Sequence, residues 1–148
     1  NKMAISSSLV TTSFKTQVLQ GTHNFTASSG DTFKIALYTN SSSLAAGTAT
    51  YGDGTATNEV SGTGYSAGGN TLTSVTPVAD GTTAVCDFAD TSWTSATITA
   101  YGALIYNSSE SNKSVCVLNF GGDKTCTSGT FTIQFPTADA SNAILRLA

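Results

Sequence analysis

The chain has 148 residues, suited to one domain with a real core, and only 10 % of them are charged, against about 25 % in typical soluble proteins. Ser and Thr together make up roughly a third of it, far above ordinary usage. The net charge is −3, and the six basic residues are scattered, which argues against a nucleic-acid partner and against a basic membrane-surface helix. No apolar run approaches the roughly 18 residues of a membrane span, and NKMAISSSLVTT has no apolar core of signal-peptide length, so neither a membrane nor an export route is expected.

The chain opens with a helical pattern. Ser8 or Thr12 is a candidate cap. Val10, Phe14 and Val18 recur at i, i+4 and i+8, with Leu19 beside them, and Gly21 ends the pattern. The spacing predicts one short amphipathic helix over about residues 9–20. So short a helix needs a docking surface: the domain, a sister subunit or a larger assembly. Residues 1–30 thus read as an N-terminal arm with a short helix, and 31–148 as a β-sandwich domain.

Everything after the helix reads as strand and turn. FKIALYT (33–39) alternates, with Phe33, Ile35 and Leu37 on one face and Lys34, Ala36 and Tyr38 on the other. A long polar connection follows, SLAAGTATYGDGTATNEV. Residues 57–74, TNEVSGTGYSAGGNTLTS, contain a GxGxxxGG pattern that superficially resembles a phosphate-cradling loop. No apolar strand precedes it, strand-like residues and no helix follow it, and no Gly-Lys-Ser/Thr ending supplies a lysine. Turn chemistry explains it better: each Gly reaches positive φ without a Cβ clash, and a strand-entry loop can admit close backbone approach by a neighbour. GYSAGGNTLTSVTPVA carries one or two strands, and TTAVCDFAD puts Ala84, Cys86 and Phe88 on one face. ATITAYGALIYN (96–107) is a strand with a bulge expected at Gly102. KSVCVLNF (113–120) reads as a buried strand, GTFTIQF (129–135) points Phe131, Ile133 and Phe135 inward, and AILRL (143–147) closes the chain. About eight antiparallel strands between turn clusters predict an all-β, jelly-roll-like sandwich.

Residues suited to chemistry are sparse. His23, the single histidine, follows the helix stop without a metal-ligand partner at short spacing, and no nucleophile elbow accompanies it. It reads as a solvated or locally hydrogen-bonded loop residue. The acids sit mostly in turn settings such as SGDT, YGDG, ADGT and GGDK, where Asp bonds its own downstream backbone. A paired-carboxylate glycosidase is the weaker reading, since the aromatics of a sugar cleft are few. No D-x-D-x-D-G calcium loop occurs, and no metal or cofactor is expected. Cys86, Cys116 and Cys126 are an odd set without a C-x-x-C pair, read as small apolar side chains in a reduced protein; a Cys116–Cys126 pair across neighbouring strands stays open. Trp93 is a core anchor, an interface anchor or a ligand platform, in that order.

Taken together, TSFKTQVLQGTHNF, DTFKIALYTNSSSL, TNEVSGTGYSAGGNTLT, DFADTSWTSATITAYGALIYN, VCVLNFGGDKT and the closing FTIQFP and ILRLA resemble, in this order, a family of small virion proteins of tailed bacteriophages. The resemblance runs from about Thr12 to Ala148 and is carried by the composite, not by any one motif. It implies a structural role on the capsid exterior, as a decoration or cement protein with no catalytic residues. The implied partners are the major capsid protein and sister copies, a trimer being favoured. A tail or tail-fibre protein with a receptor- or carbohydrate-binding sandwich is the alternative. Val10, Phe14, Val18, Leu19, Tyr65 and Trp93 are the candidate interface residues. The low charge and abundant Ser and Thr independently suit a surface that mates with other β-rich protein.

Overall fold

A computed structural model describes residues 8–148; residues 1–7 of the expected arm lie outside the described residues. The fold is an all-β sandwich with one short helix. Its strands are β1 (Leu9–Val10), β2 (Phe33–Tyr38), β3 (Asn70–Thr71), β4 (Ser74–Asp80), β5 (Thr83–Phe88), β6 (Thr91–Asn107), β7 (Lys113–Ile133) and β8 (Leu145–Leu147), and the helix α1 spans Thr12–Leu19. Five strands form one sheet in the order β1-β7-β6-β2-β3, and three form the other in the order β4-β5-β8. The strand number is that of a jelly roll, divided five and three between the sheets, and every pairing is antiparallel.

The core follows from alternation. Phe33, Ile35 and Leu37 of β2 point inward and meet Ile98, Ala100, Ala103 and Ile105 of β6, Phe88 of β5 and Leu145 of β8. Both sheets therefore contribute to one apolar interior, as a sandwich requires. The opposite face of β2 is covered as well. Ala36 and Tyr38 join Leu104, Tyr106, Val117 and Leu44 in a second cluster, with Tyr51 and Ala56 packed against it. The polar connection after β2 thus folds back as a lid on the outer face of the large sheet. On β5, Cys86 packs against the main core and Phe88 belongs to it, as the alternation predicts, whereas Ala84 on the same face is exposed.

Four sequence expectations are corrected. The helix does not start at residue 9, because Leu9 and Val10 pair with Val117 and Cys116 of β7. Val10 still packs against the core, but from a strand. Neither expected cap operates: Thr11 holds the N-cap position in extended conformation, without a side-chain capping bond. Its buried hydroxyl instead meets Ser114 Oγ at 2.8 Å. Leu19 does not join the apolar stripe and is 90 % exposed. Phe14 is the helical residue that enters the core, and Val18 packs beside it. Of the docking surfaces open to this helix, the structure shows the domain itself.

The fourth correction concerns β7, expected as two strands. It is one long strand, because Asn119 pairs with Gly102 and Lys124 with Ala100 of β6. Residues 120–123 (Phe-Gly-Gly-Asp) bulge out opposite Tyr101, and the Asn119 side chain accepts a bond from Gly121 N at 2.8 Å. The turn chemistry of GGDK is real but does not end the strand. The irregularity expected at Gly102 coincides with this register shift.

The cysteines are free thiols; Cys116 is buried, and Cys86 and Cys126 are partly so. Burial pushes the Cys86 thiol up to about 11 and Cys116 to about 12, so neither forms the reactive thiolate at neutral pH. Titration with a thiol reagent is expected to find few reactive groups in the native protein and three after denaturation without reductant. A count below three would reveal a disulfide.

Candidate functional site

The densest polar cluster gathers around Glu59, on the loop that caps the large sheet. Glu59 forms an isolated bridge with Tyr38 at the end of β2. Tyr51 donates its hydroxyl to Glu59 Oε1 at 2.6 Å, and Tyr65 donates to Oε2. Gly68 N donates to Oε2 at 2.8 Å. The Tyr65 oxygen in turn accepts a bond from Leu37 N at 2.9 Å, and Tyr106 donates to Gly68 O at 2.7 Å. Tyr51 stacks on Tyr106 with ring centroids 4.7 Å apart. One carboxylate thus ties the glycine-rich loop to β2 and β6. Bonds to a charged acceptor are the stronger kind, so this is a latch with its acceptors occupied.

The close approach that the glycines permit is intramolecular. Gly69 has φ +76°, and a Cβ there would lie 1.8 Å from Ile35 O. Gly64 likewise lies against Ala96, and Gly62 against Thr97 O. The loop presses on the chain's own strands, which is why glycines recur through it.

Burial is the main cause that raises the pKa of Tyr38, Tyr51, Tyr65 and Tyr106, with the Glu59 charge adding to each; Tyr106 reaches about 12 and the other three lie higher. In the unfolded chain a tyrosine loses its proton near pH ~10. The stability these groups contribute is therefore complete below pH ~10 and lost as pH rises towards the folded values. Alkaline titration is expected to show the tyrosinate absorbance of these four rising together with loss of the β circular dichroism signal. Ionisation of all four near pH ~10 with the fold intact would contradict the latch.

His23 is half-buried and held on both ring nitrogens. Its Nδ1 lies 3.0 Å from Asn107 Nδ2, which can only donate, so Nε2 carries the proton and donates to Gln17 Oε1 at 2.8 Å. Asn107 also donates to Asp31 Oδ2 at 2.8 Å. Burial lowers the His23 pKa; Asp31 opposes this and Lys113 adds to it. The imidazole is neutral and structural, joining helix, loop and β6. Of the acids, Asp53 and Asp139 behave as turn residues, whereas Asp80 and Asp90 hold backbone 60 and 45 positions away along the chain. Asp53 accepts from Ala49 N and Thr55 N, Asp139 from Ser141 N and Asn142 N, Asp80 from Ala140 N and Asp90 from Phe135 N. Among the described residues no group of three or more His, Cys, Asp or Glu side chains is placed to hold a metal ion.

Two grooves flank the sandwich. The first, about 680 Å³, runs along β7 past the 134–144 segment and is lined by Leu118, Phe120, Phe131, Ile133, Phe135 and Ile144, with Lys124 as its cation. The second, about 530 Å³, lies between α1, the following loop and the small sheet, with Phe14, Val18, Phe25, Cys86, Leu145 and Leu147 in its walls. Arg146 borders it, with one guanidinium nitrogen donated to Ala140 O at 3.0 Å. Neither groove gathers convergent charged groups, so each suits apolar protein surface better than a cofactor.

The six candidate interface residues are scattered by the fold. Trp93 is 4 % exposed and packs edge-on against Phe131. Tyr65 belongs to the Glu59 latch, while Val10 and Phe14 serve the core. Val18 lines the second groove, and Leu19 stands in the open. The structure adds what the sequence reading missed: Ala79, Ala84 and Leu147 stand in register across all three strands of the small sheet and are exposed, forming an apolar row. The alternation of AILRL held the signal, with Leu145 inward and Leu147 two residues on along the same face. No protein-family model matches the chain, and no curated protein or solved structure matches it.

Proposed function

We propose that the protein is a non-enzymatic virion component of a tailed bacteriophage, a capsid cement protein that binds and stabilises neighbouring capsid subunits. The resemblance of the chain to small phage virion proteins supports this reading. The structural observation that carries it is the exposed apolar row Ala79–Ala84–Leu147, continuous with the second groove. Leu147 is 64 % exposed. Contiguous apolar surface of this kind favours association with other protein. The polar groups best suited to chemistry, Glu59 and His23, are already engaged in holding loops. Cement acts by mass action: binding only assembled neighbours stabilises the assembly without a reaction. A trimeric protein would match a three-fold position on the shell, and its linked contacts would raise the effective concentration of each next one.

The test is binding to preformed, undecorated capsids. The wild-type protein is expected on the capsid exterior and to raise capsid stability. Leu147→Asp is expected to abolish decoration while leaving the fold intact by circular dichroism. Protein found only on tails would overturn the cement role in favour of the tail reading. Undiminished decoration by Leu147→Asp would remove the small sheet from the interface.

A further inference from the structure

His23 ties the 21–31 loop to the body of the domain through a bond whose direction is fixed. Asn107, at the end of β6, is fully buried. Its Oδ1 accepts a bond from Ser109 N at 3.1 Å, and its Nδ2 donates to Asp31 Oδ2 and to His23 Nδ1. A backbone N–H only donates and an ionised carboxylate only accepts, so the amide cannot turn round without losing both of those bonds. His23 Nδ1 is thereby held to the role of acceptor. On the far side of the ring, Gln17 of α1 takes up Nε2–H at 2.8 Å. Phe14, Phe25 and Phe33 surround the imidazole, with ring centroids 4.8, 6.4 and 6.3 Å away.

A proton on Nδ1 turns this arrangement against itself. Nδ1–H would face Asn107 Nδ2–H across 3.0 Å, donor against donor. Burial opposes the proton most; Asp31 on the loop favours it, and Lys113 at the start of β7 opposes it. α1 presents Gln17 and Phe14 to the ring, β2 presents Phe33 and β6 presents Asn107, none of which titrates. Cys86, a neutral thiol, and Arg146, a fixed cation, line the same groove as His23. The protonated ring is therefore accommodated by moving out, with Asp31 as its acceptor, and Asp31 Oδ2 is the atom that Asn107 now uses. The loop moves as one piece. Asn24 N bonds to Asp31 Oδ2 at 2.9 Å, Asp31 N to Asn24 O at 2.8 Å and Gly30 N to Thr26 O at 2.9 Å, closing residues 24–31 on themselves. His23, Phe25 and Thr26 line the second groove together with Phe14 and Val18, so their displacement widens it.

We propose that His23 is an acid-sensitive latch: its protonation breaks the bond to Asn107, frees the 21–31 loop from the end of β6 and opens the second groove. This inference is independent of the virion reading. Because the folded ring binds its proton less readily than the unfolded chain does, the stability it contributes is complete above pH ~6.5 and lost as pH falls through the folded value. Imidazole nitrogen NMR on the full chain tests the latch during acid titration. The Nε2–H tautomer is expected at neutral pH, with a protonation midpoint below ~6.5. At that same midpoint the Asn107 side-chain amide protons are expected to lose protection. So is the Ala27 amide, which bonds to Thr76 Oγ1 of β4, with exchange rising several-fold after correction for the intrinsic effect of pH. Fluorescence of the apolar dye anilinonaphthalene sulfonate is expected to rise several-fold over the same interval. Protonation of His23 with both amides still protected overturns the proposal. His23→Phe keeps an aromatic ring in place but cannot titrate, and is expected to abolish the acid opening at that midpoint. Opening of His23→Phe at the same pH would assign the effect to another group and overturn the latch. Should that variant not fold, the coincidence or separation of the wild-type midpoints decides the question alone.

Discussion

Replacing Gly69 by alanine is expected to prevent stable folding. Gly69 has φ +76°, and its Cβ would stand 1.8 Å from Ile35 O and 2.8 Å from Ala36 Cα. Those are backbone atoms in the middle of β2, which is itself buried on both faces. They cannot give way without disturbing β6, to which β2 is paired along its whole length. Moving the loop instead would detach β3, whose Asn70 pairs with Ile35, and would strain the Gly68 bond to Glu59. The combined steric and backbone cost belongs to the exceptional class of substitutions, at or above about 4 kcal/mol, a large share of a small domain's stability. Gly54→Ala is the control: nothing lies within 4 Å of its Cβ position, and a change within about 0.5 kcal/mol is expected. Chemical denaturation of the two variants checks the contrast. Similar midpoints would mean that the loop does not bear on β2 as described.

Trp93→Ala is expected to cost about 3–5 kcal/mol, lowering the thermal midpoint by roughly 10–20 °C. Trp93 pairs in register with Phe131 and packs edge-on against its ring, and its indole lies 5.9 Å from the Tyr65 ring. It therefore joins the lower β6–β7 ribbon to the loop held by Glu59. The cavity left behind is bordered by two sheet strands and the latch, which limits collapse around it. Leu19→Ala, at the exposed helix end, is expected to change stability by no more than about 0.5 kcal/mol. A Trp93→Ala variant of unchanged stability but impaired capsid binding would make Trp93 an interface residue.

Period-two alternation made β2, the end of β7 and β8 legible, because one inward face of each had to meet the other sheet. Phe131, Ile133 and Phe135 all reach the core as read. The same logic failed where packing distant in sequence overrides local pattern. Val10 fits a helical stripe with Phe14 and Val18, but pairing with β7 draws it into a strand. FGGD reads as a stop, yet β6 supplies pairing on both sides of it. The Glu59 latch was not legible at all. Its members come from positions 38, 51, 59, 65, 68 and 106, and no local spacing announces that they converge. The reverse holds for the glycines of 57–74. Their need for close approach was readable, but the identity of the approaching chain was a property of the fold.

The pairing of β1 with β7 bears on how the molecule is made. Thr11 bonds to Val115, 104 positions further along the chain. At about 5–20 residues per second, a ribosome takes on the order of 5–20 s to deliver that partner. Throughout that interval Val10 and Phe14 have no completed sheet to cover them, since the large sheet closes only when β6 and β7 have emerged. Their apolar side chains therefore stay without their partners on β7 until residue 117 has been made. A product truncated before Lys113 lacks β7 and with it the central pairing of the large sheet.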